Sequence, residues 1–259
     1  MQPCPSCQKT VLPLNGSCPL CGWRFKAVTI PGGVTIPVGG LSFSPNPALI
    51  HVGGPPKLQV RVDLALIVDR TGSSDAFKEG IKASSRMLVE SVRAKARDLF
   101  CWVGTHGDLD EGQPFVLHTD RAPGDQAIAD VQVIDYNGGG DPPEHHLDGI
   151  QSMLDTVPWN NNPLDGRGAV VAFLTADTKP AKSGITAAQL GKRFKDQEVL
   201  LYLICEPTPT LVELVDAAGG HIYPITNTPS IAEMQAISAE IAKSITDPAM
   251  RRGSGTIPA

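Results

Sequence analysis

From about residue 58 onward, apolar segments alternate along the chain with amphipathic ones. Short β-branched runs such as LQVRVDLALIVD and GAVVAFLT are typical of buried strands, whereas AFKEGIKASSRMLVESVRAKA has helical periodicity. The run at 169–174 is apolar throughout, as in a central parallel strand. The alternation predicts an α/β fold, in which helices cover both faces of a doubly wound, mostly parallel sheet.

A pair of strands and a helix can be predicted in more detail. DLFCWVGT and QPFVLHT read as strands, and the polar loop HGDLDEG between them predicts a hairpin. PPEHHLDGIQSMLDTV reads as a helix with a clear start, because Asp141 suits an N-cap, Pro142 the first turn and Glu144 the third position of a capping box.

Side chains with oxygen atoms occupy three predicted strand-to-helix loops, DRTGSS, NGGGDPPE and FLTADTKP. Ligands of such sheets bind at the carboxyl ends of the strands, where these loops lie. Hard oxygen donors without histidine or cysteine suit Mg²⁺, Mn²⁺ or Ca²⁺ rather than zinc. The predicted ligands are Asp69, Thr71, Ser73, Asp141 and Asp177.

Simpler explanations exist for each loop. Asp69 and Thr71 suit a strand-end cap and a turn, and Asp141 suits a helix cap, which does not prevent it from also binding a metal. The pair His145 and His146 suggests zinc, but adjacent histidines on a helix point about 100° apart and rarely share an ion. We interpret Glu144, His145 and His146 as a rim or surface feature.

The three loops, in this order, resemble those of von Willebrand factor A (vWA) domains. DRTGSS is similar to the D-x-T/S-x-S motif of their metal-ion-dependent adhesion site (MIDAS), and GGGDPPEHHLDGI resembles the G-G-G-D-x-P-E segment of a subgroup that includes hemicentin-like and many bacterial proteins. VVAFLTADTKP resembles their strand that ends in Thr-Asp, although Ala176 intervenes here between Thr175 and Asp177. The resemblance covers roughly residues 60–246, and three weak motifs in order are fairly specific.

The resemblance implies a role for each loop. The hydroxyls of Thr71 and Ser73 would bind the ion directly, Asp69 directly or through water, and Asp177 through water. Asp141 would stand where many vWA domains place a threonine, and this extra carboxylate lowers the net charge of the site. One coordination position would stay open for an Asp or Glu carboxylate of a partner.

The resemblance also implies a function. Intracellular vWA domains commonly act as adaptors in multiprotein assemblies, often with an ATPase, a kinase or a chaperone, and some serve stress or defence systems. We therefore expect a metal-dependent protein-binding adaptor and no enzymatic activity. The alternative is a nucleic-acid-associated factor that uses its N-terminal segment for contact and the vWA domain as scaffold.

Four cysteines near the N-terminus stand in two pairs, CPSC and CPLC. Paired cysteines at this spacing are typical of a structural zinc ribbon with four protein ligands, and two disulfides in a small secreted domain are the alternative. Because no apolar signal segment opens the chain, we favour Zn²⁺ and expect a cytoplasmic location. The zinc ligands would be Cys4, Cys7, Cys18 and Cys21.

The predicted organisation has four parts: a zinc ribbon at 1–27, a β-rich linker at 28–57, a vWA domain at 58–247 and a flexible tail at 248–259. VTIP occurs twice in the linker, which predicts either small edge strands or an extended connector. Cys101 and Cys205 lie within strand-like runs, where we expect them to pack as small hydrophobic residues.

Charge and missing motifs exclude several functions. Residues 1–57 carry a formal charge of +4, and residues 58–259 carry −9, which argues against nucleic acid as the main partner of the large domain. No run approaches the roughly 18 apolar residues of a membrane span. The sequence has no GxxxxGK[ST] or G-x-S-x-G motif, and Thr71 stands where phosphatases with a strand-end aspartate need a second Asp.

Overall fold

The structure is a computed structural model, and it divides the chain into two units, Met1–Val52 and Gly53–Ala259. In the first unit it describes only the backbone of four short strands. In the second unit it describes residues 60–139, 142–160, 166–225 and 229–247. The four N-terminal cysteines and the tail at 248–259 therefore lie outside the described residues.

The described strands of the first unit form two antiparallel pairs. They are β1 (Gln2–Pro3) with β2 (Thr10–Val11), and β3 (Lys26–Thr29) with β4 (Thr35–Val38). The second pair contains parts of both VTIP repeats, and each of its strands pairs with the other. This arrangement agrees with small strands in this part of the chain.

A six-stranded sheet is the centre of the large unit, in the order β10-β9-β8-β5-β6-β7. Its strands are β5 (Arg61–Asp69), β6 (Asp98–His106), β7 (Val116–Ala122), β8 (Gly166–Phe173), β9 (Val199–Ile204) and β10 (His221–Tyr223). All neighbours run parallel except β6 and β7, which pair antiparallel. The mostly parallel sheet and the predicted hairpin are therefore confirmed.

Helices cover both faces of this sheet. The described α-helices are α1 (Lys78–Lys95), α2 (Gly124–Gln132), α3 (His146–Thr156), α4 (Ala187–Asp196), α5 (Pro209–Ala218) and α6 (Ile231–Thr246). Two buried clusters form the core: one packs the sheet against α1, α2 and α6, and the other packs it against α3, α4 and α5. Successive residues of β5 alternate between the clusters, Leu66 in the first and Ile67 in the second, which is the period of a strand buried on both faces.

The central strand β5 lies between β6 and β8 and ends at Asp69. Asp69 pairs in register with His106, the last residue of β6, and Val68 pairs with Phe173, the last residue of β8. Because these parallel strands end side by side, the loops that follow them meet at one edge of the sheet.

The start of α3 differs from the prediction. The helix begins at His146, with His145 at the N-cap, so Pro142 and Glu144 do not form its first turn. The backbone of Glu144 instead pairs with the third loop: its N–H donates to the oxygen of Asp177 at 2.9 Å, and its oxygen accepts from Lys179 N–H at 2.7 Å. This long-range bridge outweighs the local capping pattern, so the predicted capping box is wrong.

Cys101 and Cys205 are buried and form no disulfide. Burial raises the pKa of each thiol to about 12, so both are inert core residues, as predicted. None of the described helices is both long enough and apolar enough to cross a bilayer.

Candidate functional site

The first loop places three oxygen-bearing side chains at the carboxyl end of β5. Asp69 is fully buried, and its Oδ1 accepts hydrogen bonds from Thr71 N–H at 2.9 Å and from Thr71 Oγ1 at 2.8 Å. Thr71 Oγ1 lies 3.0 Å from Ser73 Oγ, and Ser73 is exposed. The loop therefore forms a group of oxygens that is buried at Asp69 and open to solvent at Ser73.

The third loop completes this group through Thr175. Its Oγ1 donates to Asp69 Oδ2 at 2.8 Å and lies 3.0 Å from Ser73 Oγ and 2.8 Å from Ser74 Oγ. Asp69, Thr71, Ser73 and Thr175 thus form a closed ring of oxygen contacts, which we call the oxygen ring. The sequence places Thr175 at the end of a strand, but the set of predicted ligands does not include it.

The hydroxyl protons of this group are fewer than the oxygen–oxygen contacts of hydrogen-bond length within it. Thr71 and Thr175 both use their hydroxyl proton on Asp69, so only Ser73 and Ser74 can donate to them. Four hydroxyl protons must serve five contacts of 3.0 Å or less, and Ser73 has one proton for two neighbours. A positive ion beside these oxygens would remove the shortage.

The spacing of the oxygen ring also suits a small divalent cation. Neighbouring ligands of an octahedral Mg²⁺ at 2.0–2.1 Å are separated by about 2.9 Å. The four contacts of the ring measure 2.8–3.0 Å. Hydrogen bonds have the same length, so the contacts of the ring that carry a proton also match the ligand spacing of the ion.

The structure does not place the other two predicted ligands, Asp177 and Asp141, in contact with the oxygen ring. Asp177 is exposed, and the hydrogen bond recorded for its carboxylate is from the N–H of Thr178 to Oδ1, at 2.8 Å. The structure brings Asp69, Thr71 and Ser73 together, but it records no contact of Asp177 with them. Asp141 lies outside the described residues.

Glu144 is a carboxyl group near the ring that the sequence did not assign to the site. It is 2% exposed, and its Oε2 has no hydrogen-bond partner in the part of the chain that the structure describes. A Cβ built on Gly139 would lie 2.6 Å from Thr71 Cβ and 2.9 Å from Glu144 Oε1, so the two side chains flank the same glycine. Burial, with the charge of Asp69, raises the pKa of Glu144 to about 7.

The predicted surface position of Glu144, His145 and His146 is wrong, because all three are buried. His146 begins α3, and its Nδ1 lies 2.8 Å from Nε2 of His106, while its own Nε2 lies 3.1 Å from the oxygen of Ala176. Burial lowers the pKa of both His106 and His146. A single sequence gives no signal for this pairing, since the two residues are 40 positions apart.

The pKa of Asp69 is lowered. Burial alone would raise it, but two effects outweigh burial: the positive charge that His146 and His106 carry at the acidic pH where the carboxyl group takes up its proton, and the hydrogen bonds from Thr71. Asp69 is therefore a carboxylate at neutral pH and keeps the negative charge that a cation needs.

A second polar group lies beside the site. Asp108, Asp110 and His145 bring their ligand atoms within 4.8 Å of one another and could hold a metal ion. The ammonium of Lys179, however, lies 2.6 Å from Asp108 Oδ2 and 3.4 Å from Asp110 Oδ2. A metal would have to displace this lysine. In the structure, the carboxylates of Asp108 and Asp110 pair with its ammonium instead of a metal ion.

A cavity of about 510 Å³ lies between the end of β6, the hairpin loop and α3. Its walls include His106, Phe115, His145 and Asp155. None of the four residues of the oxygen ring lines it, so the cavity and the ring are separate features.

Comparisons with known proteins support the fold. No family model matches the chain, and no curated protein matches it in sequence. The crystal structure of the SpRpn10 VWA domain is similar with a TM-score of 0.52 and 17% identity, over 76% of this chain and 98% of that one. A von Willebrand factor type A protein from Catenulispora acidiphila gives a TM-score of 0.49 and 16% identity, over 72% of this chain and 43% of that one. On the match to the SpRpn10 domain, the large unit has the fold of a von Willebrand factor A domain.

Proposed function

We propose that this chain is a metal-dependent protein-binding adaptor. In this proposal the oxygen ring holds a divalent cation, Mg²⁺ by preference, and the cation holds an acidic side chain of a partner protein in a multiprotein assembly. The observation that carries the proposal is the ring itself, because it joins two loops into one set of hard oxygen donors.

The residues present fit the ion. Thr71, Ser73 and Thr175 would supply hydroxyl oxygens, and Asp69 would supply charge directly or through water. When bound, the ion supplies a positive charge with a coordination position for a carboxylate. Ser73 is exposed while Asp69 and Thr71 are buried, so a partner would approach from the side of Ser73.

Three carboxyl groups surround the ring in this proposal. We assign Asp177 to the site through water, since its side chain is exposed and its loop also carries Thr175. Asp141 would act from the second loop. Glu144 is the buried carboxyl group with an oxygen that lacks a partner among the described residues, and a nearby cation would favour its ionised form.

The proposed partner is a protein, because the fold is shared with the SpRpn10 VWA domain and because the vWA resemblance implies adaptors. An ATPase, a kinase or a chaperone is the class of partner that this resemblance implies, within a stress or defence system. We propose no enzymatic activity, since the oxygen ring offers a place to hold a carboxylate, and the lowered pKa of Asp69 makes it a weak base for the hydroxyls beside it.

We also propose that Cys4, Cys7, Cys18 and Cys21 hold a structural Zn²⁺. Their two CxxC pairs support this assignment. The basic residues of this region are few and scattered, so docking to protein is favoured over binding to nucleic acid.

A pull-down from the native host with the full chain as bait tests the adaptor function. Wild type in Mg²⁺ should retain a partner that is lost in EDTA and lost with the double variant Asp69→Ala, Ser73→Ala. Asp75→Ala is the matched control, because Asp75 is an exposed carboxylate of the same loop that pairs with Lys78. Retention of the same partner by the double variant and in EDTA would overturn the proposal.

A further inference from the structure

A chain of hydrogen bonds through two buried histidines joins the first and third loops. The backbone oxygen of His106 accepts from the N–H of Arg70 at 2.9 Å. Nε2 of His106 lies 2.8 Å from Nδ1 of His146, and Nε2 of His146 lies 3.1 Å from the oxygen of Ala176. The two imidazoles are at most 1% exposed. One connected path therefore runs from the residue after Asp69 to the residue after Thr175.

The hydrogen-bond partners fix the tautomers of both rings. A carbonyl oxygen only accepts, so Nε2 of His146 carries a proton and its Nδ1 is an acceptor. Nε2 of His106 must then be the donor to Nδ1 of His146. Burial lowers the pKa of both rings, which keeps them neutral and preserves this direction of donation. Each ring thus has one defined orientation.

The surrounding structure fixes the pair mechanically. The rings meet edge to face with centroids 5.1 Å apart. Gly149 of α3 lies against His106, and a Cβ at that position would approach Cγ of the imidazole to 2.5 Å. The pair therefore has little room to move, and it links the end of β6 to the oxygen of Ala176.

The pair is not explained by packing alone. Nδ1 of His106 is buried and has no hydrogen-bond partner within the described ranges. A buried unsatisfied acceptor lowers stability, and an apolar residue would fill the same space without that loss. Two apolar residues, however, could not donate a hydrogen bond to the carbonyl oxygen of Ala176, which is the neighbour of Thr175.

We infer that the His106–His146 pair positions Thr175 against Asp69 and thereby sets the cation affinity of the oxygen ring. This inference rests on the proposed metal-dependent function and adds two positioning residues to it. Neither histidine contributes an atom to the ring. They act through the 2.8 Å contact between Thr175 Oγ1 and Asp69 Oδ2, which closes the ring.

The test compares Mn²⁺ affinity among single variants of the zinc-replete full chain, with the melting temperature in EDTA as a separate readout. His106→Leu removes the donor to His146, whereas His106→Gln keeps an N–H near the position of Nε2. His146→Asn keeps an acceptor for His106 and removes the donor to Ala176. His118→Leu is the matched control, because it removes a 2.8 Å hydrogen bond to Thr105, the neighbour of His106, without touching either loop.

We expect His106→Leu and His146→Asn to bind Mn²⁺ at least about 10-fold more weakly than wild type, the range found for groups that orient metal ligands. His106→Gln and His118→Leu should stay close to wild type. If His106→Leu does not fold, His146→Asn decides the question. Wild-type affinity in a folded His106→Leu or His146→Asn, or a loss as large in His118→Leu, would overturn the inference.

Asp69→Ala separates the two proposals. If Asp69→Ala abolishes Mn²⁺ binding and the histidine variants do not weaken it, the positioning role fails and the metal site stands. If Asp69→Ala binds Mn²⁺ like wild type, or if wild type binds none, the proposed metal site fails and the positioning role fails with it.

Discussion

Asp69 is the residue on which the proposed site depends. It is fully buried, yet its pKa is lowered, because the electrostatic effects of His146 and His106 and the hydrogen bonds from Thr71 to Oδ1 outweigh burial. Thr175 donates to the other oxygen, Oδ2. A buried carboxylate that keeps its charge next to hydroxyl groups is suited to a divalent cation. The same hydroxyls stabilise the protein when no ion is bound.

Removing one hydroxyl should therefore weaken both stability and binding. Thr175→Val conserves shape but leaves Oδ2 of Asp69 without its donor, and we expect the free energy of unfolding in EDTA to fall by about 1–3 kcal/mol. Urea unfolding measures this loss. Thr156→Val is the control, since that exposed hydroxyl donates to a backbone oxygen within α3, and it should change stability by less than about 0.5 kcal/mol. Equal effects of the two variants would contradict the role given to Thr175.

Glu144 should make stability depend on pH in the metal-free protein. Its pKa rises from 4.5 to about 7 on folding, so the folded state binds the proton more tightly than the unfolded state. The resulting stabilisation is complete below the unfolded pKa and is lost as pH rises through the folded one. We expect a loss of about 1–3 kcal/mol of unfolding free energy between pH 4.5 and 7.5.

Glu144→Gln should remove this component, and Glu213→Gln, at an exposed position of α5 that does not contribute to the pKa of Glu144, should keep it. Saturating Mg²⁺ should also flatten the curve of wild type, because a nearby cation favours the ionised carboxylate. Parallel curves for wild type and Glu144→Gln in EDTA would show that Glu144 does not titrate as described.

At the scale of elements, α3 is the part that local sequence signals misplaced. Its capping pattern at residues 141–144 is strong, but the helix begins at His146, because Glu144 pairs with the third loop and both histidines turn inward. Contacts between residues more than 30 positions apart decide this start, and no local pattern contains them. The closeness of α3 to the end of β6 depends on Gly149, which lies against His106.

Gly149→Ala should therefore lower stability although alanine favours helix. The gain in propensity is about 1 kcal/mol, but the methyl group would meet a ring fixed by its surroundings, and we expect a net loss of about 1–3 kcal/mol. Gly80→Ala in α1 is the matched comparison, since its methyl group would meet only the side chain of Met234, which is flexible. Thermal unfolding of both variants measures the difference, and a Gly149→Ala protein as stable as wild type would contradict the packing described here.

At the scale of the molecule, the sequence predicted the architecture well. Apolar runs such as 169–174 and the helical periodicity of 76–96 are local signals, and they identified the parallel sheet, the hairpin and helices on both faces. The first loop was also predictable, because Asp69, Thr71 and Ser73 lie within five residues of one another.

The remainder of the site was not predictable in this way. Thr175 enters the oxygen ring because β8 pairs in register with β5, and His106 meets His146 because β6 ends beside α3. The charge of −9 on residues 58–259 is a global property that favours a cation site and argues against nucleic acid as the main partner.

In the proposed site, oxygens from separate loops bind one cation. A titration of the zinc-replete full chain with Mn²⁺, observed by electron paramagnetic resonance, beside the double variant Asp69→Ala, Ser73→Ala, measures whether they do. We expect one Mn²⁺ site in wild type, for which Mg²⁺ competes and which the double variant lacks. Equal Mn²⁺ binding by both proteins, or none by wild type, would contradict the proposed site.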